Sequence, residues 1–188
     1  QVNSRVFGEH HWENMQWLVN HVHKHPRPAN HTKIYGSGHT PWGSGGPEDG
    51  IERFWRNILG GCASARFHRD GGGIGLQPMA KACIRAARKL ESLIKLWDVT
   101  PHMGLLSDRN WNEAYLAANP GAQYALYFPD GGSIGLDLTG HKELFELRWI
   151  NVYTGDWGEN APGPGDGIVT ISAPDKGGWI AAIVRSPS

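Results

Sequence analysis

Residues 123–138 read QYALYFPDGGSIGLDL, and residues 143–150 read ELFELRWI. Both stretches place an apolar side chain at every second position, as at Phe145, Leu147 and Trp149. This period is typical of β-strands with one buried face, and the PDGG segment is a turn signal that separates two such strands. The pattern predicts antiparallel strands whose apolar members lie in a core, with the two charged residues between them outside.

Further short runs stand on both sides of these stretches, over residues 113–118, 169–173 and 179–184, with turn chemistry rich in Pro, Gly and Asp between the runs. The alternation is explicit at residues 169–173, where Val169, Ile171 and Ala173 alternate with Thr170 and Ser172. The Gly/Pro-rich segment 158–167 is predicted to be a loop. This part of the chain holds six or seven short predicted strands, and no stretch of it shows the period of a helix. The pattern predicts a small antiparallel β-sandwich over residues 104–188, so we expect an all-β domain there.

The first half of the chain, residues 1–100, follows a helical period instead. Its predicted elements alternate in type: helices over residues 12–25, 47–59 and 78–97, and strands over residues 29–35 and 62–68. This order is typical of α/β units, and two strands are too few to form a sheet of their own. We therefore expect an α/β segment followed by an all-β domain.

Composition and charge exclude some classes of function. The 188 residues are enough for one ordinary domain or two small ones, and 18 basic side chains balance 18 acidic ones. A generic polyanion binder would show a basic excess, so no nucleic-acid partner is expected. No apolar run approaches the roughly 20 residues that span a bilayer, so no membrane partner is expected. The charge is uneven, because residues 1–98 carry 13 Lys/Arg and 8 Asp/Glu, and residues 99–188 carry 5 and 10.

The candidate site residues follow from the position of functional groups in (β/α)₈ barrels, at the carboxyl ends of the strands and on the loops after them. The residues that this rule selects for substrate binding are Lys33, Tyr35, Trp42, Arg66 and His68. Tyr35, Trp42 and His68 offer flat faces and polar edges that suit a sugar, although aromatic residues are more often part of a core.

Glu9 is the candidate catalytic residue, because it stands before the first helix in the equivalent position. A carboxylate there could act as acid, base or nucleophile, or could simply complement the positive end of the helix dipole. Glycoside hydrolysis needs two carboxylates about 5–10 Å apart, and the sequence gives Glu9 no evident partner.

No metal or other cofactor is expected. His21, His23 and His25 alternate, but on a helix this spacing turns successive side chains by about 200°, so they cannot converge on one ion. Phosphate-binding loops, nucleophile elbows and paired C-x-x-C motifs do not occur in the sequence. Cys62 and Cys83 are interpreted as two buried thiols, and the sequence leaves open whether they interact.

Two groups of motifs resemble a known family. The run DGIERFWRN at residues 49–57, followed by GGCASARFHR at residues 60–69, resembles the last helix–strand segment of the apiosidase-like glycoside hydrolases, whose catalytic domain is a TIM barrel. The second half resembles the module that follows that barrel and is known as a collagen-binding domain of a collagenase. Its motifs here are YALYFPDGGS from Tyr124, LDL from Leu136, RWINVYTG from Arg148, IVTISAP from Ile168, and Trp179.

The resemblance implies that residues 1–100 are the last βα units of a TIM barrel and that the parent protein acts on carbohydrate. Family members commonly carry Lys-Pro-x-x-x-Gly-Glu on a late barrel strand, with the Glu as nucleophile. The matching stretch here is RPANHTK at residues 27–33, so Lys33 stands where that Glu would be. We therefore expect the chain by itself to be inactive as a hydrolase.

The alternative function is a non-catalytic module that binds a glycan or a collagen-like matrix protein. No signal peptide is visible in the sequence, and its localisation is not assigned, but the resemblance implies a secreted or periplasmic parent protein. We also expect self-association, because a partial barrel would leave faces of Trp12, Trp55 and Trp97 uncovered.

Overall fold

The computed structural model describes residues 5–38 and 43–186. The chain forms two compact units, Gln1–Lys81 and Ala82–Ser188. The domain assignment of 1–100 and 104–188 made from the sequence stays a prediction. In the part of the chain that the structure describes, no helix has the length and apolar character needed to cross a membrane.

The first unit alternates helices and strands as predicted. Its elements are α1 (Gly8–His23), β1 (Asn30–Ile34), α2 (Pro47–Leu59) and β2 (Ser64–Phe67), and α3 (Pro78–Glu91) begins in this unit and ends in the second. Strands β1 and β2 pair in parallel, with Asn30 opposite Ser64 and Ile34 opposite Phe67. Parallel pairing places the carboxyl ends of both strands at the same edge.

Helix α2 shows how the sequence defines these elements. Pro47 occupies the first turn, and the Asp49 carboxylate accepts a hydrogen bond of 2.7 Å from the Gly46 amide. At the other end, the Gly60 amide donates to the Arg56 carbonyl at 2.9 Å. The buried apolar face of α2 consists of Ile51, Phe54, Trp55 and Leu59. This apolar stripe and these end signals are the ones that predict a helix over 47–59.

The expectation that Trp12 and Trp55 would be uncovered is wrong. Trp12 is 5% exposed and Trp55 is fully buried, because α1 and α2 pack on each other and α2 packs on the strand pair. Trp97 is 79% exposed, because α3 ends at Glu91 rather than continuing to residue 97. Of these three tryptophans only Trp97 is exposed, and self-association stays a prediction.

The second unit is built from antiparallel strands. They are β3 (Thr100–Pro101), β4 (Leu106–Ser107), β5 (Tyr115–Asn119), β6 (Gln123–Phe128), β7 (Ser133–Asp137), β8 (Phe145–Asn151), β9 (Trp157–Ala161), β10 (Ile168–Ser172) and β11 (Trp179–Arg185). One sheet has the strand order β3-β5-β6-β11-β8-β9, and the other has the order β10-β7-β4. Residues from both sheets belong to one hydrophobic core cluster.

The alternation predicted for the strand at residues 143–150 is confirmed. Phe145, Leu147 and Trp149 are buried, Glu146 is exposed and Arg148 is half-buried. The register agrees, because Leu147 pairs with Ile183 and Trp149 with Ala181 on β11, and all four side chains belong to the shared core. Adjacent residues on one face of a sheet are the unit of its stabilisation, so the pattern fixes this strand strongly.

The predicted loop over 158–167 is wrong in its first part, because residues 157–161 form β9 at the edge of the larger sheet. A Cβ atom at Gly158 would lie 2.8 Å from the Cβ of Trp149 and 2.9 Å from the ring of Trp179. A residue without a side chain is therefore needed for β9 to approach these two rings.

Candidate functional site

The parallel strands bring two of the predicted site residues into contact. Tyr35 follows β1 and His68 follows β2, and their ring centroids lie 4.7 Å apart with an interplanar angle of 49°. The His68 amide donates to the Ile34 carbonyl at 2.9 Å, which continues the strand pairing up to the rings. We call Tyr35 and His68 the strand-end ring pair.

Backbone rather than side chain covers one edge of the strand-end ring pair. A Cβ atom at Gly72 would lie 2.7 Å from Cδ2 of His68 and 3.1 Å from Cε1 of Tyr35. The Gly72 carbonyl also accepts a hydrogen bond of 3.4 Å from the Gly36 amide, which ties the loop after β2 to the loop after β1. The glycine at this position therefore permits a close approach that any other residue would obstruct.

The electrostatic environment of His68 is positive. Burial is the main cause that lowers its pKa below the usual 6.5, and the charges of Lys33, Arg69 and Arg66 lower it further. His68 is therefore neutral at pH 7, with one ring nitrogen as donor and the other as acceptor. Arg66 is exposed and its Nε donates to the Thr32 carbonyl of β1 at 3.2 Å, and Lys33 is half-buried on β1.

Arg53 holds the backbone beneath this edge, a role that the sequence does not reveal. Its NH1 donates to the carbonyls of Ser44 at 2.7 Å and of Tyr35 at 3.3 Å, and its Nε donates to the Val6 carbonyl at 3.1 Å. Burial lowers its pKa to about 10, so it remains charged at neutral pH. Arg53 therefore joins the segment before α1, the end of β1 and the loop that follows it. No signal in the sequence identifies this role, because the three carbonyl partners come from separate segments of the chain.

Glu9 and Asp70 are carboxylates on separate elements of the first unit. Glu9 lies half-buried in the first turn of α1, which also fits the role of a helix N-terminal carboxylate. Asp70 lies exposed in the loop after β2, where its Oδ1 accepts a hydrogen bond of 3.2 Å from Nε2 of Gln77. Asp70 is not among the site residues predicted from the sequence, although an acidic residue directly after a predicted strand is the relevant signal. Trp42, the remaining predicted residue, lies outside the described residues.

Within residues 5–38 and 43–186, no three His, Cys, Asp or Glu side chains form a group that could hold a metal ion. His21 stacks on Trp17 with ring centroids 5.4 Å apart, on the surface of α1. Cys62 and Cys83 are both buried and form no disulfide in the described structure, and burial raises the pKa of the Cys62 thiol to about 11. A thiol with a raised pKa is a poor nucleophile, so Cys62 is not a candidate catalytic residue.

Comparison with solved structures identifies proteins of similar fold. A glycoside hydrolase family 5 protein from Bacteroides vulgatus ATCC 8482 has a TM-score of 0.73 and 13% sequence identity, over 94% of this chain and 45% of that one. A second structure, described as a glycoside hydrolase, has a TM-score of 0.71 and 11% identity, over 94% and 46% of the two chains. No protein family model matches the chain, and no curated protein sequence does.

The chain spans a little under half the length of these two solved chains. At such low identity the likeness concerns the fold and carries no residue roles. Over the described residues, the fold is a mixed α/β arrangement of three α-helices, one parallel strand pair and two antiparallel sheets, and it is similar to part of a glycoside hydrolase structure.

Proposed function

We propose that this chain is the carboxyl-terminal part of a glycoside-hydrolase-like protein that acts on carbohydrate, and that the chain alone does not hydrolyse glycosides. The observation that carries the proposal is the likeness of fold to glycoside hydrolase chains over nearly all of this chain but less than half of theirs. The strand-end ring pair supports it, because functional groups in α/β barrels lie at this edge of the strands.

The chemistry of the strand-end ring pair suits a saccharide. Tyr35 supplies an aromatic body with a hydroxyl, and neutral His68 supplies one donor and one acceptor for sugar hydroxyls. Lys33 and Arg66 add cationic donors on the adjoining strands. Because Gly72 carries no side chain, the backbone of the loop after β2 packs against the edge of both rings and holds them in position. These four side chains would bind and orient a sugar rather than break its bond.

The proposed lack of hydrolysis follows from the carboxylates. A retaining mechanism needs two carboxyl groups about 5–5.5 Å apart, and an inverting mechanism needs them about 6.5–9.5 Å apart. Lys33 stands at the position where the family resemblance would put the nucleophile, so β1 supplies an ammonium group in its place.

An assay with 4-nitrophenyl glycosides tests this proposal. We expect no release of 4-nitrophenol above that of buffer from the chain, and no rescue in Lys33→Glu, because the proton donor to the leaving group would still be absent. Turnover by the unmodified chain that is lost in Glu9→Gln but retained in the control Glu13→Gln would contradict the proposal and would make Glu9 catalytic.

The finer assignments are proposals of the same kind. The motifs at residues 49–69 support an apiosidase-like parent protein with a TIM barrel, and residues 1–100 would be the last βα units of that barrel. The same resemblance supports a parent protein that is secreted or periplasmic. The two sheets with one shared core support a β-sandwich module over residues 104–188.

The shared core also favours the alternative function, a binding module for a glycan or a collagen-like matrix protein, since such a module needs a core of its own. The upstream sequence of the parent gene discriminates between the two. Six further βα units with a strand-end carboxylate would favour the enzyme, and their absence would favour the binding module.

A further inference from the structure

The register of the parallel strand pair shifts by one residue beside Lys33. Residues 31–34 of β1 lie opposite residues 65–67 of β2, so one more residue of β1 than of β2 fills this stretch. Thr32 and Lys33 therefore both lie opposite Arg66. A register shift of this kind changes the direction in which a side chain points, and such shifts are frequent next to active sites.

The shift directs Lys33 to the face of the strand pair that lies away from α2. The residues on either side of the shift face α2, because the His31 ring is hydrogen-bonded to a side chain of α2 at 2.6 Å and Ile34 is fully buried. On β2, Phe67 also faces α2, since its ring stacks on a ring of that helix with centroids 5.2 Å apart. Neighbouring side chains of a strand point to opposite faces, so Arg66 and the strand-end ring pair lie on the open face, with Lys33 at the level of Arg66.

Three cationic side chains surround the strand-end ring pair. Burial first, and then the charges of Lys33, Arg69 and Arg66 in that order, lower the pKa of His68, so all three charges act at this edge of the strands. In the part of the chain that the structure describes, none of the three forms an ion pair with a carboxylate. Like charges gathered without a counter-ion raise the local positive potential, so this edge attracts an anion.

The acidic residue of the adjoining loop is engaged within that loop. Oδ1 of Asp70 accepts a hydrogen bond of 3.2 Å from Nε2 of Gln77, and a Cβ atom at Gly75 would lie 2.6 Å from the same oxygen. One carboxylate, held in its own loop, therefore stands against three cations.

Arg66 has hydrogen-bonding capacity left for a ligand. Its Nε donates to the Thr32 carbonyl at 3.2 Å, which fixes the exposed guanidinium over β1. No other group among the described residues accepts a hydrogen bond from it. Its two terminal nitrogens can therefore donate in parallel to the two oxygens of a carboxylate or a sulfate.

We infer that the saccharide bound at the strand-end ring pair is anionic, and that its carboxylate or sulfate group binds Lys33 and Arg66 while its sugar ring contacts Tyr35. This inference rests on the proposed function, because it names the class of saccharide bound at the same site. Arg66 supplies paired donors, and Lys33 supplies a compact charge at the same level of the strands. A neutral sugar would leave both cations without a counter-ion, so charge complementarity favours the anionic one.

An NMR titration of the full chain with matched pairs of oligosaccharides, read at the amide signals of His68 and Gly72, tests the inference. The first pair is β-1,4-linked trimannuronate and β-1,4-linked mannotriose, which differ in the carboxylate at C6. The second pair is a sulfated carrageenan tetrasaccharide and its desulfated form. We expect at least one anionic member to bind about tenfold more tightly than its neutral counterpart at low salt, and about 1 M NaCl to abolish the difference. The pair that shows the preference identifies the anionic group.

Substitution of Lys33 provides the second arm. Lys33→Gln should weaken binding of the preferred anionic member about tenfold and leave binding of its neutral counterpart within about twofold, whereas Lys33→Arg, which keeps the charge, should retain the preference. Lys24→Gln is the matched control, because Lys24 is an exposed lysine of the same unit and lies in the segment before β1.

The outcomes separate this inference from the proposed function. Equal affinity for the anionic and neutral members, with shifts at His68 and Gly72, would overturn the inference and leave the proposed function intact. An anionic preference that persists unchanged in Lys33→Gln would also overturn it. Amide signals of His68 and Gly72 that respond to none of the four oligosaccharides would contradict both. The comparison of paired sugars on the wild-type chain needs no variant, so it decides the question even if a substitution impairs folding.

Discussion

Acidification should destabilise the first unit through one buried histidine. His11 of α1 is fully buried, and its Nδ1 accepts a hydrogen bond of 3.4 Å from Nε of Arg56 on α2. Its Nε2 has no hydrogen-bond partner among the described residues. Burial first, and then the charges of Arg56, His31 and Arg53, lower the pKa of His11 from 6.5 to about 2. The Glu52 carboxylate, which could offset a new positive charge, already pairs with Arg56 at 2.7 Å.

The sign and size of the effect follow from proton linkage. A histidine whose pKa is lower in the folded state binds more protons when the chain is unfolded. The contribution of His11 to stability is therefore fully present above about pH 6.5, and it is lost as the pH falls towards 2. At about pH 4.5, protonation of His11 in the unfolded state raises the ratio of unfolded to folded chain by a factor of about 100. The free energy of unfolding is therefore lower by about 3 kcal/mol. His31 acts in the same direction, because burial also lowers its pKa.

Urea unfolding followed by tryptophan fluorescence at about pH 7 and pH 4.5 measures this loss. We expect the drop in unfolding free energy to be about 3 kcal/mol smaller in His11→Gln than in wild type, because glutamine cannot titrate. His23→Gln, which changes an exposed histidine of the same helix, should retain the full drop. Equal drops in wild type and His11→Gln would refute the reasoning, as would a ring NMR signal of His11 that titrates near pH 6.

Three further predictions concern packing and assembly. Trp149→Ala should lower the free energy of unfolding in urea by about 3–5 kcal/mol, the usual range for truncating a buried aromatic residue. Glu146→Ala should lower it by less than about 0.5 kcal/mol. The reverse order would mean that the register of β8 is wrong. Arg148→Ala should cost about 0.5–1 kcal/mol, because its guanidinium lies over Trp157. Light scattering at tens of micromolar should detect dimers or larger species that Trp97→Ala weakens, and a clean monomer would contradict the expected self-association.

Much of the second unit could be predicted from its sequence because alternation and turn chemistry are local signals. The register of residues 143–150 follows directly from which side chains are apolar. Strand β9 could not be predicted in the same way. Its glycine reads as a loop signal, whereas its place in the fold depends on the approach to Trp149 and Trp179, which are distant in sequence from each other.

The candidate site was only partly accessible to sequence reasoning. The contact between Tyr35 and His68 follows from parallel pairing of two predicted strands, so their proximity was predictable. The role of Arg53 was not, because its three carbonyl partners come from separate segments that only the folded chain brings together. The exposure of Trp97 was missed because its apolar spacing continues the pattern of α3 beyond Glu91, where the helix ends.

An NMR titration of the full chain with a soluble oligosaccharide tests the central claim, carbohydrate recognition at the strand-end ring pair. The claim predicts that the amide signals of Gly36, His68 and Gly72 shift together with saccharide concentration. It also predicts that Tyr35→Ala abolishes these shifts, while Trp17→Ala, which changes an exposed aromatic residue on α1 of the same unit, preserves them. Amides at this edge that stay unchanged while saccharide shifts signals elsewhere in the chain would contradict it.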